Sequence, residues 1–435
     1  MKMNLKRSML LFGSLLLMSA PAWGGNGHLL HGIGAMNSSM GGAGVALLQD
    51  SLGALHVNPA LLAKAQGNQV SFSSEFFQDG LRVEARLGNN WATTNPTTQI
   101  GVIPAFGWMS HQDGKRMAIG FGLLGIAGFR TDYPQDSNNF LLVPQPNGFG
   151  HVMTDYSLTK IPIAFAFNVN PKLAIGASFN LYRGTLQITP NPVVIPDFSS
   201  DGYGWLPDAG YQVARWGIGA QFGFYYEASP MISIGASYTT KHKFGKYEWN
   251  TAIVNPSLPS FGRARIVDFE MDGPQSIQFG VGLHPGKKLS IAADMKFVKY
   301  RGVKGLGGAA SGVDLVKHNL IGIGWQNIWV GMVGAQYKPN ERLALRAGYN
   351  HGQSPIKDEF TINSMGTPST FQKHFCVGVS MALMPHVSAD LGFYVVPRET
   401  KSGPTYGLYV GKVPNTQINL SNRLTSGQAS LNFSF

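Results

Sequence analysis

The residues whose types could do chemistry are few, and their spacing matches no catalytic or metal-binding motif. Residues 41–46 read GGAGVA, but no Gly-Lys-Ser/Thr follows and no strand pattern precedes them, so they form no phosphate-binding loop. His28 and His31 lack the second ligand pair that would complete a zinc site. Spacing alone places no Ser, His and Asp as a hydrolytic triad. We therefore expect no enzymatic activity, no cofactor and no metal.

Ionisable residues inside alternating apolar segments are the remaining candidates for a chemical role. The alternation puts five of them on the polar side of their segments: Lys160, Asp294, Lys296, Arg346 and Asp390. Either Lys296 or Arg346 could hold the carboxylate head group of a ligand. Such charges more often pair with neighbouring groups, because an ionisable residue at membrane depth is costly when it is alone. We favour pairing and keep ligand binding as the alternative.

The amino terminus predicts export. A basic start (MKMNLKR), an apolar core and the small residues of APAWG have the layout of a secretory signal peptide over residues 1–24, cleaved after Gly24 or Ala22. Removing Lys2, Lys6 and Arg7 from the 34 basic residues leaves 31 against 23 acidic ones, a charge of +8. For an exported chain without a basic stripe, this favours anionic lipid headgroups or acidic substrates over nucleic acid.

Composition limits the class of protein. Only 13% of residues are charged, against roughly 25% in soluble chains. After residue 24 no run of about 18 apolar residues occurs, so no transmembrane helix is predicted. The single cysteine, Cys376, excludes an internal disulfide and is most simply a packing residue. An outer-membrane β-barrel is the membrane class that agrees with all of this.

Strict two-residue alternation supports the barrel. In residues 289–297 (LSIAADMKF), large apolar residues alternate with Ser, Ala, Asp and Lys. About fourteen such segments occur: 68–87, 98–110, 115–130, 155–168, 172–188, 213–227, 231–248, 262–284, 288–301, 325–337, 342–352, 372–383, 386–398 and 425–435. Short turns and long loops alternate between them, which is typical of outer-membrane barrels and disfavours a secreted sandwich. The even count puts both chain ends on the periplasmic side, and Phe435 looks like a barrel assembly signal.

Residues 25–67 show no strand pattern and are predicted to form a hatch, an N-terminal plug of short helices in the barrel lumen, with the barrel over residues 68–435. Asp50 can cap one helix, and Asn58 can cap the next with Pro59 at its first position. The glycines allow close approach of backbones. The fold class predicted is therefore all-β, a transmembrane antiparallel β-barrel of about 14 strands with this hatch.

The hatch resembles that of the FadL/TodX family of outer-membrane transporters of hydrophobic compounds. The resemblance rests on residues 39–46 (SMGGAGVA), 49–51 (QDS) and 58–60 (NPA), with weaker matches at 120–134 and 352–355. It implies passive uptake of long-chain fatty acids or other hydrophobic compounds, such as aromatic hydrocarbons. It also implies a kink in the third strand through which substrate leaves sideways into the membrane. Fatty-acid members carry a basic residue where this chain has Gln326.

The resemblance also suggests site residues. The hatch and gate set is Asn58, Pro59 and Ala60 facing Gly122, Gly125, Gly128 and Phe129 of the third strand. Apolar residues of the long loops are candidates for ligand contact, although loops packing on one another would explain them equally. The ligand-binding set is Phe140, Leu141, Leu142, Val143, Val194, Ile195, Phe198, Trp205, Lys296 and Arg346.

We expect a monomeric transporter in the outer membrane of a Gram-negative cell. Its partners would be a hydrophobic small molecule, outer-membrane lipid and lipopolysaccharide. Two alternatives stay open: a general diffusion porin, which would need a charged open eyelet, and an outer-membrane acyl hydrolase.

Overall fold

The computed structural model describes residues 26–97, 100–112, 114–200, 202–307, 312–314, 316, 319–407 and 411–435. The predicted signal peptide lies outside the described residues, and the division into signal, hatch and barrel at residues 24 and 67 stays a prediction. Among the described residues, every helix is too short or too polar to cross a membrane.

Fourteen antiparallel strands of the described chain form one closed barrel, as the alternation predicted. They are β1 (Gly67–Asp79), β2 (Ile100–His111), β3 (Met117–Tyr133), β4 (Val152–Asn170), β5 (Leu173–Thr189), β6 (Ala209–Ser229), β7 (Ile232–Thr239), β8 (Gln275–Leu283), β9 (Leu289–Lys299), β10 (Ile328–Asn340), β11 (Leu343–Gly352), β12 (Lys373–Met384), β13 (Val387–Gly403) and β14 (Thr416–Ser434). Each pairs with its chain neighbours, and β1 pairs with β14 from Gln69↔Ser434 to Asp79↔Leu424 to close the wall.

The two faces of the strands differ in the way that a lipid-embedded wall requires. On β4 the exposed Phe165 and Phe167 alternate with the buried Ala164 and Ala166. Large side chains therefore point outward to lipid, and small ones point inward. This is the reverse of a soluble domain, in which the large residues fill the core. The small inward residues leave room in the lumen for another part of the chain.

Short strands outside these fourteen lie toward the long loops. They are Arg82–Leu87, Asn90–Thr94, Asp197–Phe198, Gly204–Trp205, Lys243–Phe244, Tyr247–Ala252, Ala264–Phe269, Gly312–Asp314, Asn319–Gly322, Tyr406–Gly407 and Gly411–Lys412. Short 3₁₀ turns occupy Asp358–Phe360 and Ile362–Ser364.

Several predicted segment bounds differ from the structure. Residues 68–87 are two strands that divide at Gly80 and Leu81. Residues 262–284 are two elements, because Ala264–Phe269 pairs with Tyr247–Ala252 in a hairpin and the barrel strand begins only after Pro274, which lacks a ladder donor. The segment 231–248 likewise divides at Thr239. The last strand begins at Thr416 rather than 425, because its outer half pairs with β13 and Arg82–Leu87 despite its polar sequence. Alternation cannot reveal such partners.

Residues 26–66 form the hatch. It contains helices α1 (Gly34–Ser39) and α2 (Ser51–Val57) and a 3₁₀ helix (Pro59–Lys64). The Asp50 carboxylate accepts a hydrogen bond from the Gly53 amide at 2.7 Å, and the Asn58 side-chain oxygen accepts one from the Ala60 amide at 3.0 Å. Both predicted caps are therefore formed. Nearly every hatch residue up to position 63 is buried inside the barrel.

Inward-facing glycines and charges hold the hatch backbone. A Cβ atom on Gly235 of β7 would lie 2.1 Å from the Val45 carbonyl oxygen, and one on Gly348 of β11 would lie 2.3 Å from the Gly41 nitrogen. The Asp294 carboxylate of β9 accepts hydrogen bonds from the Gly44 and Val45 amides, each at 2.8 Å. The wall and the hatch therefore fit at the level of backbone atoms.

This fit predicts that Gly235→Val loosens the hatch. The new side chain has no room beside Val45, and overpacking of this kind typically costs about 1–3 kcal/mol. We expect larger ion conductance in planar bilayers and faster proteolysis of the hatch. The matched control is Gly331→Val, because a Cβ at Gly331 meets no atom within 4 Å. Equal conductance of the two variants would contradict the close fit.

Candidate functional site

The barrel wall has a gap between β2 and β3. These strands pair only from Ser110↔Ile119 to Ala105↔Leu124. Farther out, β2 pairs with β1 alone, while β3 runs on beside β4 to Tyr133. Among the described residues, which exclude 98 and 99, the next backbone hydrogen bond from outside the hatch to this edge of β3 runs from the Thr97 amide to the Asp132 carbonyl at 3.1 Å. The wall is therefore open along β3 between Leu124 and Asp132.

A β-bulge lies where the strands separate. The register between β3 and β4 shifts between Gly125 and Ala127, so Ile126 has no partner on β4. A bulge bends its strand and turns it away from the neighbour. At the same point a Cβ on Gly125 would lie 2.4 Å from Cγ2 of Ile103, so glycine is required for the close approach of β2.

The start of the hatch pairs with the free edge of β3. The Leu30 amide donates to the Ile126 carbonyl at 2.9 Å, and the Gly128 amide donates to the His28 carbonyl at 3.0 Å. Between these bonds Leu29 and Ala127 face each other as an isolated antiparallel bridge. The gap would otherwise leave these backbone groups unpaired at membrane depth, which costs several kcal/mol for each. The hatch therefore closes the gap with hydrogen bonds as well as bulk.

An aromatic cluster anchors this part of the hatch. The Tyr300 hydroxyl donates to the Asn26 carbonyl at 3.0 Å and lies 3.1 Å from Nδ1 of His28. The His28 ring also packs against the rings of Tyr156 and Trp325, and the distance between ring centroids is 5.9 Å in both pairs. Burial lowers the pKa of His28 to about 3, so the ring is neutral at physiological pH. The anchor is therefore uncharged.

An apolar cavity lies on the extracellular side of this cluster. Its lining comes from the outer ends of β3, β4 and β5 and from the long loops: Phe129, Phe149, Val152, Thr154, Leu186, Ile188, Pro190, Pro192, Val193, Phe269, Met271, Ile323, Ile362, Asn363, Met365, Gly366, Thr367 and Tyr406. None of these residues is charged. Phe129 stacks on Tyr156 with ring centroids 5.0 Å apart, and Tyr156 contacts His28. Two rings therefore separate the cavity from the anchor at the gap.

The structure places the predicted gate residues in two separate regions. Gly122 and Gly125 lie on β3, Gly128 is bonded to the hatch, and Phe129 lines the cavity. That Asn58, Pro59 and Ala60 face these residues stays a prediction, because the described bonds and close approaches of Asn58 and Ala60 lie on other strands. The Asn58 amide donates to the Phe224 carbonyl of β6 at 2.9 Å, and a Cβ on Gly176 of β5 would lie 2.5 Å from the Ala60 nitrogen.

The reason is the path of the hatch. Asn58, Pro59 and Ala60 lie just before β1 starts at the periplasmic end, whereas the gap lies higher in the wall, where residues 28–30 reach it. Residues 26–30 have neither strand alternation nor a motif, so no signal in the sequence could have identified them.

The predicted loop residues do not line this cavity. Leu141 and Leu142 are buried in a cluster of loops with Ile362 and Met365, against which Phe140 packs, and Val143 is half-buried beside them. Val194 packs on the main core, Ile195 is exposed, and Phe198 and Trp205 lie in a two-residue strand pair. Loop packing, the alternative explanation, accounts for Leu141 and Leu142. Ligand contact by this set stays a prediction.

The two predicted cations differ in their surroundings. Arg346 donates to Gln336 at 2.8 Å and to Ser380, whose hydroxyl donates to Asp390. Pairing therefore accounts for Arg346. The ammonium of Lys296 has no hydrogen-bond or ion-pair partner among the described residues. Burial lowers the pKa of His56 in α2, and the positive charges of Lys296 and Lys160 lower it further, which is consistent with Lys296 facing the hatch.

Sequence reasoning missed most of the cavity lining. Leu186 and Ile188 continue the inward alternation of β5, so the pattern could have revealed them. Val152 and Thr154 lie beyond the predicted start of β4 at residue 155. Phe269, Met271 and Met365 come from loops whose positions depend on contacts far along the chain, and the sequence carries no signal for them.

Comparisons with known proteins agree with this fold. The sequence model of the family described as outer membrane protein transport protein (OMPP1/FadL/TodX) matches residues 16–405. The comparison with curated proteins found no match.

Three solved structures share the fold. A Pseudomonas aeruginosa FadL homologue aligns with TM-score 0.72 and 14% identity, covering 94% of this chain and 100% of its own. The Pseudomonas putida toluene transporter TodX aligns with TM-score 0.67 and 19% identity, covering 94% and 100%. The Ralstonia pickettii toluene transporter TbuX aligns with TM-score 0.63 and 19% identity, covering 93% and 99%.

The identities are low, so the solved structures establish the fold alone. The family follows from the sequence match, which extends over most of the chain. Both findings confirm the resemblance carried by the hatch motifs. The chain belongs to the FadL/TodX family of outer membrane transport proteins, whose members are transporters of hydrophobic compounds and not enzymes.

Proposed function

We propose that this protein takes up uncharged hydrophobic compounds passively and releases them sideways into the outer membrane through the gap between β2 and β3. One observation carries the proposal. A continuous series of contacts runs from the apolar cavity through the Phe129 and Tyr156 rings to the hatch segment that covers the edge of β3. Monoaromatic hydrocarbons are representative substrates, since TodX and TbuX are described as toluene transporters.

A lateral route agrees with the energetics of an apolar solute. Burial stabilises such a solute by about 0.8 kcal/mol per CH₂ group, so it leaves water for the cavity and then leaves the cavity for hydrocarbon. No energy source is needed if the solute only moves down this gradient. A route straight through the lumen would instead expose the solute to the polar interior and to the periplasm. The buried hatch obstructs that route and argues against a general diffusion porin.

Release through the gap requires residues 26–30 to leave β3. Only the Leu30–Ile126 and His28–Gly128 backbone hydrogen bonds join the two segments directly. The anchor at Tyr300 must give way as well, because it holds Asn26 and His28. A ligand that pushes Phe129 would act on this anchor through Tyr156. Filling of the cavity and opening of the gap would thus be coupled.

A disulfide between positions 29 and 127 tests the movement. These residues face each other between the two hydrogen bonds, a site where cross-strand Cα atoms lie close enough for a disulfide. In a Cys376→Ala background, we expect Leu29→Cys with Ala127→Cys to abolish toluene uptake by whole cells when oxidised and to recover it when reduced. Each single-cysteine variant is the control. Full uptake by the oxidised double variant would contradict release at this gap.

Removing the bulge tests the opening itself. Deletion of Ile126 lets β3 keep one register with β4, so β3 no longer bends away from β2 and the wall closes. We expect a folded barrel, seen as heat-modifiable migration on gels, with little toluene uptake. Deletion of Val169 is the matched control, because it removes the extra residue of another β4 irregularity, near the periplasmic turn. If both deletions leave uptake unchanged, the gap is not the exit.

Long-chain fatty acids are a second candidate substrate, favoured by the unpaired ammonium of Lys296. The cavity itself offers no cation to a carboxylate, since its polar lining is limited to neutral groups such as Thr154, Asn363 and Thr367. A fatty acid would therefore need to reach Lys296 deeper in the lumen. We rank neutral compounds first for this reason.

Two substitutions separate the candidates. Met365→Trp fills the cavity, and we expect it to lower toluene uptake about tenfold, equivalent to about 1.4 kcal/mol of lost binding. Lys296→Met should leave toluene uptake unchanged. Met384→Trp, at an exposed position near a periplasmic turn, is the size-matched control. Loss of oleate uptake in Lys296→Met, with no toluene uptake by the unmodified protein, would instead establish fatty acids as the substrate.

A further inference from the structure

Three arginines meet in a groove on the outer side of the barrel wall. β1 breaks at Gly80 and Leu81, and its continuation Arg82–Leu87 pairs with β14. Arg82, Arg398 of β13 and Arg423 of β14 line the groove at this break, together with Gln78, Asp79, Asn95 and Thr425. The Gly80 amide donates to the Arg423 carbonyl at 2.8 Å, which holds the break against β14. The sheet thus gathers cations from three adjacent strands.

The groove lies at the extracellular edge of the lipid-facing surface. On these strands the exposed apolar residues Phe76, Phe393 and Val395 lie toward the periplasmic side of the arginines. Val395 pairs with Thr425, and Arg423 lies two residues farther toward the long loops. At about 3.3 Å per residue, Arg423 lies roughly 7 Å along the strand beyond the level of Val395. The change from exposed apolar residues to arginines on these strands is what the boundary between hydrocarbon and outer-leaflet headgroups would favour.

The positive charge of the groove is only partly balanced. Glu84 pairs with Arg82 at 3.7 Å, and the carboxylate of Asp79 interacts with Arg130 of β3. Arg398 donates to the Ser421 hydroxyl at 3.0 Å and Arg82 to Asn95 at 3.4 Å, so both of these acceptors are neutral. The exposed guanidinium of Arg423 has no hydrogen-bond or ion-pair partner among the described residues.

Arg82 and Arg423 both act electrostatically on Arg398, so the three cations lie close together. Like charges at this distance repel, and gathering them beside lipid is unfavourable unless an anion joins them. Arginine suits phosphate in particular, because its planar guanidinium can donate two parallel hydrogen bonds to phosphate oxygens. We propose that this groove binds a phosphate group of lipopolysaccharide in the outer leaflet. The site is separate from the transport path and does not depend on the proposed substrate.

The test measures lipopolysaccharide bound to the purified protein. The groove variant combines Arg82→Gln, Arg398→Gln and Arg423→Gln. Its control combines Lys115→Gln, Arg116→Gln and Lys172→Gln, which remove the same charge from exposed periplasmic turns. We expect the groove variant to lose co-purified lipopolysaccharide in native mass spectrometry while the control retains it. Equal retention by both variants would overturn the proposal.

A single substitution keeps the proposal testable if the triple variant misfolds. Arg423→Gln removes a side chain that bonds to nothing in the described protein, so the fold should persist. We expect it to weaken lipopolysaccharide binding about tenfold, the change that corresponds to about 1.4 kcal/mol. Unchanged affinity of this folded variant would count against the site.

Two further ligands identify the source of the phosphate. Enzymatically dephosphorylated lipopolysaccharide should bind as weakly as the groove variant binds the intact lipid. Inorganic phosphate at the same concentration should not displace the intact lipid. Displacement by inorganic phosphate would identify the site as one for free phosphate and overturn its assignment to lipid. Undiminished binding of the dephosphorylated lipid would show that phosphate is not what the groove recognises.

Discussion

Every backbone N–H and C=O group at membrane depth needs a hydrogen-bond partner, and this requirement governs the whole structure. A closed barrel meets it everywhere except where β3 leaves β2 beyond Leu124. There the partners are supplied from inside, by His28 and Leu30 of the hatch. A wall with an opening can therefore exist only if a segment in the lumen reaches the opening, and the small inward residues make room for that segment.

In the proposed transport route, the same requirement would join ligand binding to release. Residues 26–30, which supply the hydrogen-bond partners of β3, are bonded to Tyr300 and pack against Tyr156. The Tyr156 ring also stacks on Phe129. All of these contacts are between uncharged groups, including His28, whose pKa is lowered by burial. Neutral contacts can rearrange at membrane depth without exposing a charge to hydrocarbon. The charged Arg346 lies elsewhere, bonded to Gln336 and to Ser380, which in turn bonds to Asp390, all on neighbouring wall strands.

Local physics determined what the sequence could predict. Alternation revealed the fourteen strands, because lipid outside and a filled lumen inside impose a period of two on every strand. The caps at Asp50 and Asn58 were also predictable, because a cap acts within three residues. Pairing of residues 28–30 with β3 was not, since nearly 100 positions separate them and backbone bonds leave no mark on side-chain choice. The loop residues that line the cavity, such as Met271 and Met365, could not be predicted for the same reason.

The seam between β1 and β14 joins the first and last strands of the barrel. The hatch precedes β1, and its backbone lies against glycines on well-separated strands, such as Gly176 of β5 and Gly348 of β11. A plug that touches opposite walls so closely has no clearance to slide into a finished cylinder. The hatch must therefore already lie within the curved sheet when the seam forms. Assembly thus has a fixed order in time, and the last pairing event encloses the plug together with the gap that it covers.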